Sequence, residues 1–187
     1  MKKVMIGLLL SAAAAGASFT IQAADVFGLP LGTGRADQVT GILQSRGDQF
    51  VQLQGSDLPA IRIKKSETLE ALGGSPTANL QFAPSGFLYS ISINLDSTPA
   101  EMKDIQSALE KKYGKAQALS GWDLERNKAL AYGIGGQNVV MFTPNPVAGA
   151  PTLNYYFQPL VNEVTLFNEA RAREAAKSDF ERLVDKI

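Results

Sequence analysis

Along the chain the spacing of apolar positions changes twice from a period of about 3.6 to a period of two. Met102, Ile105 and Leu109 recur at helical spacing, with Tyr113 one turn further. They follow Thr98, Pro99, Ala100 and Glu101, a capping box with proline at the first helical position, and Gly114 supplies a left-handed stop. A helix is predicted over residues 99–113. A second, carrying Val39, Ile42 and Leu43 on one side, is predicted over residues 36–45 and stops before Gly47, although Gly41 weakens it. The C-terminus reads as one long helix over residues 160–187. Its apolar positions Leu160, Val164 and Phe167 are separated from Ala176, Phe180, Leu183 and Ile187 by a charged stretch, so it is expected to bend there or to reach beyond the domain. Within that stretch Glu169 and Arg173 stand four apart in the favourable order for a solvated face.

Between these helices apolar and polar residues alternate. Phe87, Tyr89, Ile91, Ile93 and Leu95 interleave with Leu88, Ser90, Ser92 and Asn94, the strongest strand pattern in the chain. Leu80 and Phe82 lie across the turn residues Pro84, Ser85 and Gly86, so the two segments should form an antiparallel hairpin. Further strands are expected at residues 50–53, 60–64, 122–126, 129–132, 139–143 and 153–157. The resulting order is helix, strands, helix, strands, helix, with about four strands after each of the first two helices. This predicts an α+β fold: an antiparallel sheet with helices packed on one face, two helix-plus-ribbon repeats, and a long C-terminal helix. It is expected as a single domain over residues 24–187, with halves at 24–95 and 96–187.

The first residues read differently. Lys2 and Lys3 precede an apolar run over residues 4–10 and the alanines at 12–15, the layout of a secretory signal peptide over residues 1–23. The run is short of the roughly 20 apolar residues that a spanning helix wants, so no stable membrane insertion is expected once it is cleaved. Export, most readily to a bacterial periplasm, follows as the expected localisation. Without Lys2 and Lys3 the balanced charges, 18 basic and 18 acidic, become mildly acidic, which argues against a nucleic-acid coat.

Composition narrows the chemistry further. The 187-residue chain contains no Cys and no His, which removes disulfides, Cys or His metal ligands, Ser-His-Asp and Cys-His nucleophiles and imidazole proton shuttles. No cofactor, metal or catalytic residue is implied. Gly32, Thr33 and Gly34 lack the third glycine of a dinucleotide fingerprint, Asp37 standing in its place, and read as a turn. Gly133, Ile134, Gly135 and Gly136 read as a hairpin turn, and Arg46, Gly47 and Asp48 as a helix stop.

Hydrolysis by two carboxylates remains open. Asp123 and Glu125 would share one strand face about 7 Å apart, but the alternation sends the neighbouring Trp122 to the opposite face. Arg62 and Lys64 share a strand face that reads either as protection of a sheet edge or as a contact for an acidic partner. Tyr156, in step with Asn154 and Gln158, is a candidate exposed aromatic of the kind favoured at interfaces. The layout is similar to that of small exported modules that act as enzyme inhibitors or envelope-assembly accessories. The expectation is a non-enzymatic module that binds another periplasmic or envelope protein through Trp122, Asp123, Glu125, Arg62, Lys64 and Tyr156. The alternative is a carboxylate-dependent cell-wall or polysaccharide hydrolase, or a carbohydrate-binding domain; a small-ligand carrier lacks a pocket signature in the sequence.

Overall fold

A computed structural model describes residues 24–55, 57–118, 128–134, 137–147 and 149–184, with side chains omitted at 134 and from 178 onward. The chain begins with a hairpin of β1 (Ala24–Val26) and β2 (Leu29–Leu31), followed by α1 (Ala36–Ser45). A four-stranded meander follows: β3 (Gln49–Leu53), β4 (Ala60–Lys65), β5 (Thr77–Phe82) and β6 (Leu88–Asn94), with the one-turn helix α2 (Glu67–Glu70) between β4 and β5. Then α3 (Pro99–Tyr113) leads into a second meander, β7 (Gln117–Ala118), β8 (Leu130–Ile134), β9 (Asn138–Thr143) and β10 (Thr152–Phe157). The chain continues without a loop into α4 (Gln158–Val184).

The two meanders form one eight-stranded antiparallel sheet in the order β3-β4-β5-β6-β10-β9-β8-β7. Each contributes its last strand to the centre, where Ile91 stands opposite Tyr155 and Ile93 opposite Leu153. The fold is therefore α+β, with one helix preceding each meander. Both helices fall where their apolar spacing places them. In α3 the capping box closes fully: Glu101 Oε2 accepts from the Thr98 N–H at 2.6 Å, and Thr98 Oγ1 accepts from the Glu101 N–H at 3.4 Å. Gly114, at φ 85°, ends the helix with its N–H on the Glu110 carbonyl.

One face of the sheet forms the core. Ile61, Ile63, Ala78, Leu80, Ile91, Ile93, Leu153, Tyr155, Val140 and Phe142 are buried there, with Val39 and Leu43 of α1 and Met102, Ile105 and Leu109 of α3 in the same cluster. Each fully buried aliphatic or aromatic side chain contributes about 1.5–3 kcal/mol, so this face supplies most of the driving force. No disulfide is available to assist it.

Four expectations need correction. Phe87 and Tyr89 do not continue the inward phase of Ile91 and Ile93: a bulge opposite Gln81 and Phe82 inserts a residue, Leu88 is buried instead, and the Tyr89 hydroxyl donates to Gln81 Oε1 at 3.0 Å. Strand β4 is not an edge, because β3 pairs along it, so Arg62 and Lys64 do not guard the sheet border. Gly133 lies inside β8 opposite Val139 rather than in a turn. Helix α4 starts at Gln158, two residues earlier than its apolar pattern suggests. Its first turns are held by the sheet. Glu163 accepts from the backbone N–H and hydroxyl of Ser85 in the β5–β6 turn, Val164 is buried, and Arg171 pairs with Asp57 in the β3–β4 loop. From 168 to 177 every residue is exposed, as the interrupted stripe implies.

Candidate functional site

The register fixes which side chains share the face opposite the core. Across all eight strands one row runs Val51, Arg62, Asn79, Ser92, Asn154, Met141, Ala131, Gln117. At about 4.8 Å per strand the row is about 34 Å long. A second row sets Ala60, Gln81, Ser90, Tyr156, Val139 and Gly133 side by side. Because successive strand residues alternate, these positions are the polar phase of the strands whose apolar phase makes the core. Helices α1 and α3 lie against the core face, so neither covers these rows, but the second row is closed at its centre, where Ser90 is buried and Tyr156 half-buried. With strands of five to seven residues, apart from the two-residue β7, the whole face measures on the order of 600 Å², and its accessible part is smaller because Ser90 is buried, against the roughly 800 Å² that one partner gives to a standard protein interface.

Its chemistry is amide, hydroxyl and cation, interspersed with the apolar Val51, Met141, Ala131 and Val139. Arg62 Nε donates to Asn79 Oδ1 at 2.8 Å, which fixes the guanidinium plane while both side chains stay in reach of solvent. Lys64 is exposed on the same side of β4. The Asn154 amide donates to Thr152 Oγ1 at 3.1 Å. Among the described residues no Asp or Glu stands on this face of the strands. The face is thus polarised positive although the chain as a whole has a formal charge of zero.

Arg62 and Lys64, read together as one strand face, and Tyr156, read separately, are brought onto this one face. Tyr156 is half-buried rather than freely exposed. Desolvation lifts its phenol above the usual range; Tyr89 is lifted too, first by burial and then by repulsion from Tyr156. Both phenols therefore stay neutral hydrogen-bonding groups at physiological pH. Trp122, Asp123 and Glu125 lie outside the described residues, as does the strand expected at 122–126. No protein-family model, curated protein or solved structure matches the chain.

Asn79, Ser92, Asn154 and Met141 were not singled out from the sequence, yet they occupy the centre of the face. The signal was present in Ser90, Ser92 and Asn94, the small polar phase of the strongest strand. Of these, Ser92 and Asn94 are half-buried and Ser90 is fully buried, so the accessible part of this strand's outer face begins at Ser92. Among the described residues no group of three or more acidic side chains could hold a metal ion. No described helix is long and apolar enough to cross a membrane.

Proposed function

We propose that this chain is an exported, non-enzymatic protein-binding module that engages a partner with its open sheet face. The observation that supports this reading is the row that crosses all eight strands opposite the core: it carries Arg62, Asn79, Ser92 and Asn154, has no carboxylate on its strands and is uncovered by α1 or α3, whereas the neighbouring row is closed at Ser90, 1% exposed. Such a face suits a protein better than a small substrate. It offers area and many adaptable hydrogen-bond groups, but nothing on it resembles a nucleophile or a paired acid and base. Arg62 and Lys64 at one side favour a partner whose contacting surface carries carboxylates, as an inhibitor's or immunity factor's target would. Export rests on the leader pattern of residues 1–23, and an envelope partner follows from it.

A photo-crosslinking residue placed at Gln81 or Asn154 in exporting cells tests the assignment. Both positions are expected to give a discrete adduct with one protein, and the same probe at Ser107 on the exposed side of α3 is expected to give none. Adducts from Ser107 alone, or none from either face position in folded protein, would refute the use of this face.

A further inference from the structure

On the other side of the sheet a groove of about 560 Å³ opens over the seam between the two meanders. Its floor is Leu153 and Tyr155 of the central strand β10, one wall is Ile105 and Leu109 of α3, and the opposite wall is Phe27 at the tip of the β1–β2 hairpin. The rim carries three carboxylates, Glu70, Glu101 and Asp104, against one ammonium, Lys112. The volume lies in the range of sites that take small organic ligands, and the lining is apolar with a few charged groups at the mouth.

The aromatic wall is held in place rather than merely present. Phe27 sits at φ 53°, a conformation that disfavours a bulky side chain. The Arg46 guanidinium donates to the Phe27 carbonyl at 2.7 Å and to the Gly28 carbonyl at 2.9 Å, which fixes the hairpin tip. The Phe27 ring then stands edge-to-face with Tyr155, centroids 5.8 Å apart and planes at 90°. At the rim the chain already places a cation over an aromatic ring, with Lys112 Nζ 5.0 Å from the Tyr113 centroid. A second cation with an apolar body would find aromatic and aliphatic side chains below it and unbalanced carboxylates around it.

We infer that this groove binds a small organic cation with an apolar tail or ring, of the alkylammonium class. The site is independent of the open sheet face and does not rest on the function proposed for it. The excess of carboxylates decides the sign: an anion of the same shape meets repulsion at the mouth, and a neutral one gains only the apolar contact.

The test uses the purified chain and decyltrimethylammonium below its micellar concentration, with decyl sulfate and decyl maltoside as probes of equal tail length. Calorimetry is expected to show saturable binding of one cation per chain, at least tenfold tighter than either other probe. The melting temperature should rise by about 3–5 °C at a tenfold excess over Kd. Ala108→Trp, an exposed lining position on α3, is expected to block the groove and abolish binding. Should that variant fail to fold, the Glu70→Gln, Asp104→Asn double variant carries the test, since both side chains are exposed. It is expected to weaken the cation about twofold to fivefold per carboxylate removed while leaving decyl maltoside unchanged. Equal affinity for all three probes, no saturable binding, or full binding by a folded Ala108→Trp variant would each overturn the assignment.

Discussion

Ile91 and Ser92 are adjacent in β6 but belong to opposite faces, and a carboxylate placed at each in turn separates the two surfaces sharply. Ile91 is 1% exposed and stands between Leu80, which has no side-chain donor, and Tyr155, whose hydroxyl is hydrogen-bonded to Tyr113. Removing the buried isoleucine side chain alone costs about 2–5 kcal/mol. Burying an unpaired carboxylate, or protonating it against its ordinary pKa, adds several kcal/mol more. The sum reaches the 5–15 kcal/mol that holds a typical domain, so Ile91→Asp is expected to unfold the protein. Ser92 is half-buried between Asn79 and Asn154, whose amides can donate to a carboxylate. Ser92→Asp is therefore expected to change stability by no more than about 1 kcal/mol. Urea unfolding followed by circular dichroism reads both variants against the parent. If Ile91→Asp keeps the parent midpoint, or if Ser92→Asp falls with it, the facing of the sheet derived from the register is wrong. The folded Ser92→Asp protein has a second use, because it places a negative charge at the centre of the carboxylate-free face. Loss of the Asn154 crosslink in that variant is the expected outcome.

Thr98→Ala removes the side-chain half of the capping box of α3, leaving the backbone N–H of residue 98 on Glu101, and is expected to cost about 1 kcal/mol, a fall of roughly 2–4 °C in Tm by scanning calorimetry. The Glu101 carboxyl is held below its usual range, first by the Thr98 N–H and then by the Thr98 side chain. Its contribution is thus present above the ordinary carboxylate pKa and lost as the pH falls, and the variant, which keeps the larger backbone part, should lose slightly less stability than the parent on acidification. Burial holds Tyr89, Tyr155 and Tyr156 above the ordinary phenol value of 10.0, so their contribution is complete below that pH and disappears as the pH climbs past it. Phenolate absorbance should rise together with loss of circular dichroism; gradual ionisation near pH 10 with the fold intact would contradict this. Glu174→Pro lies in the exposed stretch of α4, where a proline costs the helix about 3 kcal/mol. Helical signal should drop while the Tm of the sheet stays within about 1 °C of the parent.

Local signals in the sequence carried much of this fold. Helices α1 and α3 announce themselves through apolar spacing and their stops, and the β5–β6 hairpin through Pro84, Ser85 and Gly86. What escaped depends on distance. Strand β7 is two residues long and α2 is one turn, too short for any periodicity to build up. The β1–β2 hairpin uses a phenylalanine at positive φ, where turn chemistry would lead one to look for Asn or Gly. The bulge that reverses Tyr89 is set by the neighbouring strand, since the alternation in β6 continues unbroken through it. Arg62 and Lys64 were legible as one strand face, but that Tyr156 joins them is a consequence of strand order. The acidic groove draws its lining from four separate segments, the β1–β2 hairpin, residues 70–73, α3 and β10, and no contiguous motif could have shown it.

That strand order also explains why the two surfaces meet at one place. A single meander of this kind would leave its last strand as an edge with an apolar face, open to pairing with another chain. Joining β6 to β10 removes both such edges and leaves as borders β7, two residues long, and β3, whose register breaks between Gln49 and Phe50. The joint then becomes the middle of everything. On β10, Leu153 and Tyr155 form the floor of the groove, while the alternating Asn154 and Tyr156 face the open side. A cation resting on the first pair and a protein resting on the second would be separated by the thickness of one strand. If a groove ligand alters partner affinity by some factor, linkage requires the partner to alter ligand affinity by the same factor. Titrating decyltrimethylammonium with and without the captured partner measures that factor directly. A value of one would mean that β10 is rigid enough to insulate its two faces.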